Sequence, residues 1–296
     1  MCKLFALTNA SQITVTPKLL CTIKAAVTEH DNHGFGFTLL TNSGLYGERT
    51  IMPSIFKPLA TRTASSLIVP TSNSFGVKPR SKRGAVKSLI AHGRYSTNTV
   101  SLPNTHPYNT DDNRFSLMHN GVVYDTSGII PRDSLRTNND TELLLRAWEQ
   151  DGISGVQQLG GYYAVLALDA TTGVLHVVRD SSAGLYISWS PTIQSYIIAT
   201  TAGIIKAVAS AMEWSTHSIE KVDDNQYAQF KGNVIISQET INPKPRYTTT
   251  TFTEAERKAL DLPASSVGVS VDSEDELYND MGVEDWEEPA YRRRGA

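Results

Sequence analysis

Tyr162-Tyr163-Ala164-Val165-Leu166-Ala167-Leu168 and Val174-Leu175-His176-Val177-Val178-Arg179 are two apolar runs separated by turn residues at Thr172-Gly173. Two more follow, Leu185-Tyr186-Ile187-Ser188-Trp189 after Ser182-Ala183-Gly184, and Tyr196-Ile197-Ile198-Ala199-Thr200 after Pro191. Such runs, rich in β-branched and aromatic residues and bounded by Gly, Ser and Pro, read as strands. Their short connections suit antiparallel neighbours, because a parallel crossover needs a longer, usually helical link. This stretch therefore predicts an α+β chain with antiparallel blocks, not an alternating doubly wound one.

Working outward, residues 3–7 and 34–40 read as short buried strands. Thr16 to Glu29 carries Leu19, Leu20, Ile23 and Val27 at helical spacing, with Pro17 suited to a first turn. Ser43-Gly44 marks a hairpin into Leu45-Tyr46-Gly47, and Ser88 to Ala91 is a further strand. Phe115 to His119 is a strand that runs into Asn120-Gly121, a hairpin signal. Asp140 to Gln150 is the clearest helix, with an Asn138 or Asn139 cap, acids in the first turn, and a stripe of Leu143, Leu144, Ala147 and Trp148. Thr201 to Ala211 suits a short helix, and Tyr227 to Ser237 a last hairpin around Lys231-Gly232. Residues 61–88 are polar and basic, and read as a solvated loop. From Pro243 onward acidic residues dominate until Arg292-Arg293-Arg294. We therefore expect a folded domain over 1–242 and an acidic, largely disordered tail over 243–296.

A net charge of −3 in 296 residues argues against a nucleic-acid binder. Two cysteines, Cys2 and Cys21, are too few for a disulfide framework and fit a reducing compartment. Cys21 falls on the apolar face of the first helix and reads as a buried structural thiol. The apolar run after Lys3 is too short for a signal peptide, and no run reaches membrane-helix length, so a cytoplasmic protein is expected. Zinc spacing, a Walker loop, a dinucleotide fingerprint and a Gly-x-Ser-x-Gly elbow are missing from the sequence.

Cys2 is the candidate nucleophile. Met1 is removed when residue 2 is small, which would leave a thiol and a free α-amine on one residue. With a pKa of about 7.7–8.0, that amine is partly neutral near pH 7 and can take the thiol proton. After Cys2 come, in order, Ala91-His92-Gly93-Arg94-Tyr95-Ser96-Thr97, His106-Pro107-Tyr108, His119-Asn120-Gly121 and Asn139-Asp140-Thr141-Glu142. These motifs resemble the glutaminase domain of class II glutamine amidotransferases, which are N-terminal-nucleophile hydrolases. The resemblance spans roughly residues 2–240, and His33-Gly34-Phe35-Gly36 is similar to a segment of stand-alone members.

The resemblance implies a four-layer αββα sandwich and a set of roles. Arg94 would hold the glutamine α-carboxylate, a bidentate task suited to guanidinium. Asp140 would hold the α-ammonium. Asn120 and Gly121 would form the oxyanion hole, Thr97 would line the pocket, and His106 would lie beside it. As an alternative, His106 is a packed or exposed loop residue. Catalysis would need no cofactor and no metal. The sequence departs from the family pattern at Arg179-Asp180-Ser181-Ser182-Ala183-Gly184-Leu185-Tyr186, which lacks a proline and is about two residues short, at Tyr95 in place of Trp, and at Asn98.

The resemblance implies hydrolysis of L-glutamine to glutamate and ammonia through a Cys2 thioester. The residues after Pro243 are too few for a synthetase domain, so the expectation is either a separate synthetase subunit that accepts the ammonia or a stand-alone amide hydrolase; no nucleic acid or membrane partner is expected. Two other readings stay open: an amidohydrolase acting on a different γ-glutamyl amide, and a catalytically silent scaffold that kept the fold.

Overall fold

The computed structural model describes residues 2–11, 15–28, 33–51, 86–95, 101–125, 128–137 and 139–244. All of them belong to one compact unit that extends to Arg246. The basic loop and the acidic tail expected from sequence lie outside the described residues, except for 86–88, which are strand, and 243–244.

In chain order the elements are β1 (Lys3–Leu7), α1 (Pro17–Val27), β2 (Gly34–Thr41), β3 (Gly44–Ile51), β4 (Val86–Arg94), β5 (Tyr108–Asn109) and β6 (Phe115–Tyr124). Then come α2 (Asp140–Asp151), α3 (Ile153–Gln157), β7 (Gly160–Asp169), β8 (Val174–Arg179), β9 (Tyr186–Ser190) and β10 (Ser195–Ala199). The described chain closes with α4 (Ala202–Ala211), β11 (Glu220–Lys221), β12 (Gln226–Lys231) and β13 (Val234–Thr240). One sheet has the order β11-β9-β10-β1-β4-β2-β3, the other β13-β12-β8-β7-β6-β5. Every pairing is antiparallel.

Three apolar clusters define four layers. Leu4, Ala6 and Ile90 of the first sheet meet Met118, Ala164 and Leu166 of the second, which makes the inter-sheet core. The opposite face of β1, Phe5 and Leu7, packs under Leu19 and Ile23 of α1 and Ile205 and Val208 of α4. Leu117 and Val165 of the second sheet pack under Leu144 and Trp148 of α2 and Val156 of α3. A strand covered on both faces must be apolar throughout, which explains the unbroken run in β1. The fold is therefore an α+β sandwich with the layers expected. Thr38 and Ser116 add one buried hydroxyl contact of 2.7 Å between the sheets.

Side-chain caps explain where α1 and α2 begin. The Thr16 hydroxyl accepts from Leu19 N and caps α1 ahead of Pro17. The Asn139 side chain accepts from Thr141 N at 2.9 Å and caps α2. Glu142, 1% exposed, is held by Arg136 at 2.8 Å and Arg146 at 3.2 Å; a carboxylate buried this deeply needs such partners.

The four β-runs of 162–200 form two antiparallel pairs, β7 with β8 in the second sheet and β9 with β10 in the first. Two expectations are corrected. Asn120-Gly121 is not a hairpin turn: β6 runs straight through it and pairs with β7 along its length. Cys21 is only partly buried, since the buried face of α1 carries Leu19, Ile23, Lys24 and Val27.

The passage between the sheets, 180–185, is the segment that departs from the family pattern. Fully buried Arg179 donates to the carbonyls of Ala183 at 2.6 Å, Val222 at 2.8 Å and Ser181 at 3.2 Å, and pairs with Asp224. The Asp180 carboxylate accepts from Tyr163 N, Ser182 N and Ala183 N at 3.0, 2.9 and 2.7 Å. Hydrogen bonds to two adjacent charged side chains thus fix a turn that carries no proline.

Candidate active site

The first residue before β1, Cys2, lies at the end of the inter-sheet layer. It stands two residues before Leu4, so strand alternation aims it at the facing sheet. β1 and β6 lie against each other across that layer. Asn120 stands two residues after inward-facing Met118 on β6, by the same alternation, and is 9% exposed. Both side chains therefore belong to one space between the sheets.

The Cys2 thiol is half-buried and donates to the Tyr95 carbonyl at 3.4 Å. Tyr95 directly follows Arg94, the last residue of β4, which pairs with β1 so that Lys3 faces Gly93. Arg94 is 3% exposed. Its neighbour Gly93 admits this close packing, because a Cβ there would meet the Val27 carbonyl oxygen of α1 at 2.1 Å.

Asp140 is the first residue of α2, and its Oδ2 accepts from Val123 N at 3.1 Å and lies 3.4 Å from His119 Nε2. Burial by itself would push its carboxyl up. The nearby His119 and the backbone N–H groups of Val123 and Thr141 outweigh that and hold it below the usual carboxylate range. Burial pushes the Cys2 thiol up, with Arg94 pulling it down and Asp140 pushing it further up. Burial lowers Arg94, while Cys2 and Asp140 act to raise it. Besides the N-terminal ammonium, which also pulls it down, the thiol thus feels one side-chain cation, Arg94, and one side-chain anion, Asp140.

Gly121 sits mid-strand at φ +147°, opposite Tyr163. A Cβ at this position would stand 2.0 Å from the Tyr162 carbonyl oxygen, so only glycine fits here.

Of the sequence candidates, Cys2, Arg94 and Asp140 come within electrostatic reach of one another, and Asn120 and Gly121 occupy the facing strand. Thr97 lies outside the described residues. His106 is 3% exposed; its Nε2 lies 2.7 Å from Thr141 Oγ1 and its ring is 3.8 Å from that of His92. Burial drives His92 down to about 3, helped by His119 and Arg94, and drives His106 well below the ordinary histidine value. His92, His119 and Thr141 received no role from sequence. The available signal was the clustering of His92, His106 and His119 inside the very motifs that carry Arg94, Asn120 and Asp140.

A sequence model described as a glutamine amidotransferase domain matches residues 81–244, more than half of the chain. The chain belongs to the glutamine amidotransferase domain family. Among curated relatives, glutamine--fructose-6-phosphate aminotransferase [isomerizing] of Bacillus thuringiensis subsp. konkukian (strain 97-27) is 29% identical over 110 residues, 31% of this chain and 18% of that protein. Asparagine synthetase [glutamine-hydrolyzing] of Triphysaria versicolor is 26% identical over 88 residues, 28% of this chain and 15% of that protein. The aligned part of this amidotransferase-family chain thus spans under a fifth of either relative.

Two solved structures share the fold. The allosteric regulatory enzyme of purine biosynthesis superposes with a TM-score of 0.58 at 16% identity, over 80% of this chain and 48% of that one. Glutamine phosphoribosylpyrophosphate amidotransferase from B. subtilis gives 0.53 at 18% identity, over 80% and 49%.

Proposed function

We propose that this chain hydrolyses L-glutamine to L-glutamate and ammonia, with Cys2 as nucleophile once Met1 has been removed. The observation that carries this reading is the pair of opposite charges, Arg94 and Asp140, held around a single thiol. That charge pattern complements the α-carboxylate and α-ammonium of a free amino acid, and leaves the side-chain amide to meet sulfur.

In this mechanism the Cys2 α-amine takes the thiol proton, and the thiolate attacks the amide carbon. The carbonyl π electrons move onto oxygen, where the Asn120 amide and the Gly121 N–H stabilise the charge. As the oxyanion collapses, the C–N bond breaks and the protonated amine gives its proton to the departing nitrogen. Ammonia and a γ-glutamyl thioester result. Water, deprotonated by the same amine, then adds to the thioester, and the thiolate leaves with glutamate as product. Thr97 lines the glutamine pocket in this scheme. No step calls on a cofactor.

The ammonia passes to an acceptor carried by a separate synthetase subunit. The names of the relatives above, an aminotransferase and a synthetase that use glutamine, support transfer of the ammonia to an acceptor. Residues 1–242 form the glutaminase domain, and 243–296 an acidic tail available for docking. Among the described residues no helix is long and apolar enough to cross a membrane.

The test is intact mass followed by labelling. Purified protein should lack Met1, release glutamate and ammonia from glutamine, and gain one adduct from a glutamine-analogue electrophile. Cys2→Ala should gain none. Met1 retained on most molecules that nevertheless turn over glutamine would refute the amine's role. Preferential turnover of a different γ-glutamyl amide would move the substrate, and no turnover of either would leave a scaffold.

A further inference from the structure

Behind Asp140 lies a buried chain of polar contacts. His106 Nε2 is 2.7 Å from Thr141 Oγ1, Thr141 Oγ1 is 2.9 Å from His119 Nδ1, and His119 Nε2 is 3.4 Å from Asp140 Oδ2. Thr141 is fully buried, and His106 and His119 are each 3% exposed, so bulk water does not compete for these contacts. Strand alternation puts His119 on the same face of β6 as Leu117, toward α2, and away from Asn120.

The order of donors along this chain is constrained. Thr141 has one hydroxyl proton and stands between two imidazoles. Burial keeps His106 neutral, so it has one N–H to give. If the hydroxyl donates to His106, His119 must donate through Nδ1, and an imidazole with only that N–H then turns a lone pair toward the Asp140 carboxylate. If His106 donates to the hydroxyl, the hydroxyl donates to His119 Nδ1, and His119 presents Nε2–H to Asp140. With a single N–H on His119, only the second order makes every contact attractive.

We infer that His106, Thr141 and His119 form a relay that fixes the His119 tautomer and thereby positions the Asp140 carboxylate for the substrate ammonium. This rests on the role given to Asp140 above. His106, His119 and Thr141 are positioning residues in this scheme and touch no substrate. Thr141 does this from the helix turn that carries Asp140 itself, so one element supplies both the carboxylate and the group that orients its partner.

The experiment combines imidazole 15N NMR with kinetics on the full chain. In the wild type the His119 signals, assigned by their loss in His119→Asn, should show a protonated Nε2 and an unprotonated Nδ1. Thr141→Val keeps shape and removes the hydroxyl. It should mix the tautomers and raise KM for glutamine about tenfold, the loss of roughly one charge-assisted hydrogen bond, with kcat within about threefold. Thr141→Ser should restore both readouts. A wild-type His119 protonated on Nδ1 alone overturns the relay, and needs no variant to fold. So does a Thr141→Val enzyme with unchanged KM, or a Thr141→Ser enzyme as impaired as Thr141→Val. If the wild type does not turn over glutamine, the functional reading fails, while the NMR result still decides the relay.

Discussion

Gly121→Ala tests the site most directly, because its cost is set by backbone geometry. The added Cβ would stand 2.0 Å from the Tyr162 carbonyl oxygen and 2.8 Å from Tyr163 Cα, where real Cβ contacts stay beyond 3.0 Å. Neither neighbour is the flexible end of a side chain, so β6 and β7 must separate locally by roughly 1 Å, a displacement that can cost on the order of a hundredfold in rate at a reacting centre. The φ of +147° adds strain of about 1–3 kcal/mol for a residue other than glycine. For a domain of this size, 1 kcal/mol is worth about 2–4 °C in Tm. We expect Gly121→Ala to fold with a Tm lowered by roughly 2–12 °C and kcat reduced at least about a hundredfold at saturating glutamine. Glutamate release by a coupled assay and thermal melting by circular dichroism measure the two. Gly173→Ala is the control: its φ is +75°, but nothing lies within 4 Å of the added Cβ, so it should lose some Tm and keep kcat. A Gly121→Ala enzyme that is folded and turns over within about threefold of wild type would refute this account of position 121.

Three further outcomes follow from the same contacts. Arg94→Lys keeps the charge but loses the planar fork, and should raise KM for glutamine by about tenfold or more with a smaller effect on kcat, read from initial rates across glutamine concentration. Buried His92, lowered to about 3, makes stability pH-dependent: its contribution is fully present above the unfolded histidine value of about 6.5 and is lost as pH falls toward 3. At about 1.4 kcal/mol per unit this amounts to several kcal/mol, so denaturant midpoints should fall more steeply with acid in the wild type than in His92→Gln, and equal slopes would sink the assignment. Arg179→Met leaves the Ala183 and Val222 carbonyls without their donor, and should cost on the order of 2–4 kcal/mol in chemical denaturation, since each unsatisfied carbonyl costs about 1–3 kcal/mol; a loss below about 1 kcal/mol would show that the turn at 180–185 does not depend on it.

The sequence by itself determined the strand-rich composition, the caps at Thr16 and Asn139, and the order of motifs from Cys2 to Asp140. These are local matters: two-residue alternation, helix caps and turn residues act over a few positions, and a reader of one sequence sees them all. Only the tertiary structure decided which sheet each strand joined. The runs at 162–168 and 185–189 look alike because both are short, apolar and bounded by turn residues, and the hydrogen bonds of Arg179 and Asp180 that send the chain across come from partners as distant as Val222. Asn120-Gly121 misled for a similar reason. The pair favours a turn in isolation, but ten paired residues along β7 and the close approach of Tyr162 keep it extended. The histidines behind Asp140 were invisible as a unit, since His106, His119 and Thr141 meet only when a loop, a strand and a helix end are packed together. Chemistry that depends on local order was legible in the chain, and chemistry that depends on burial and on contacts between distant segments had to wait for the fold.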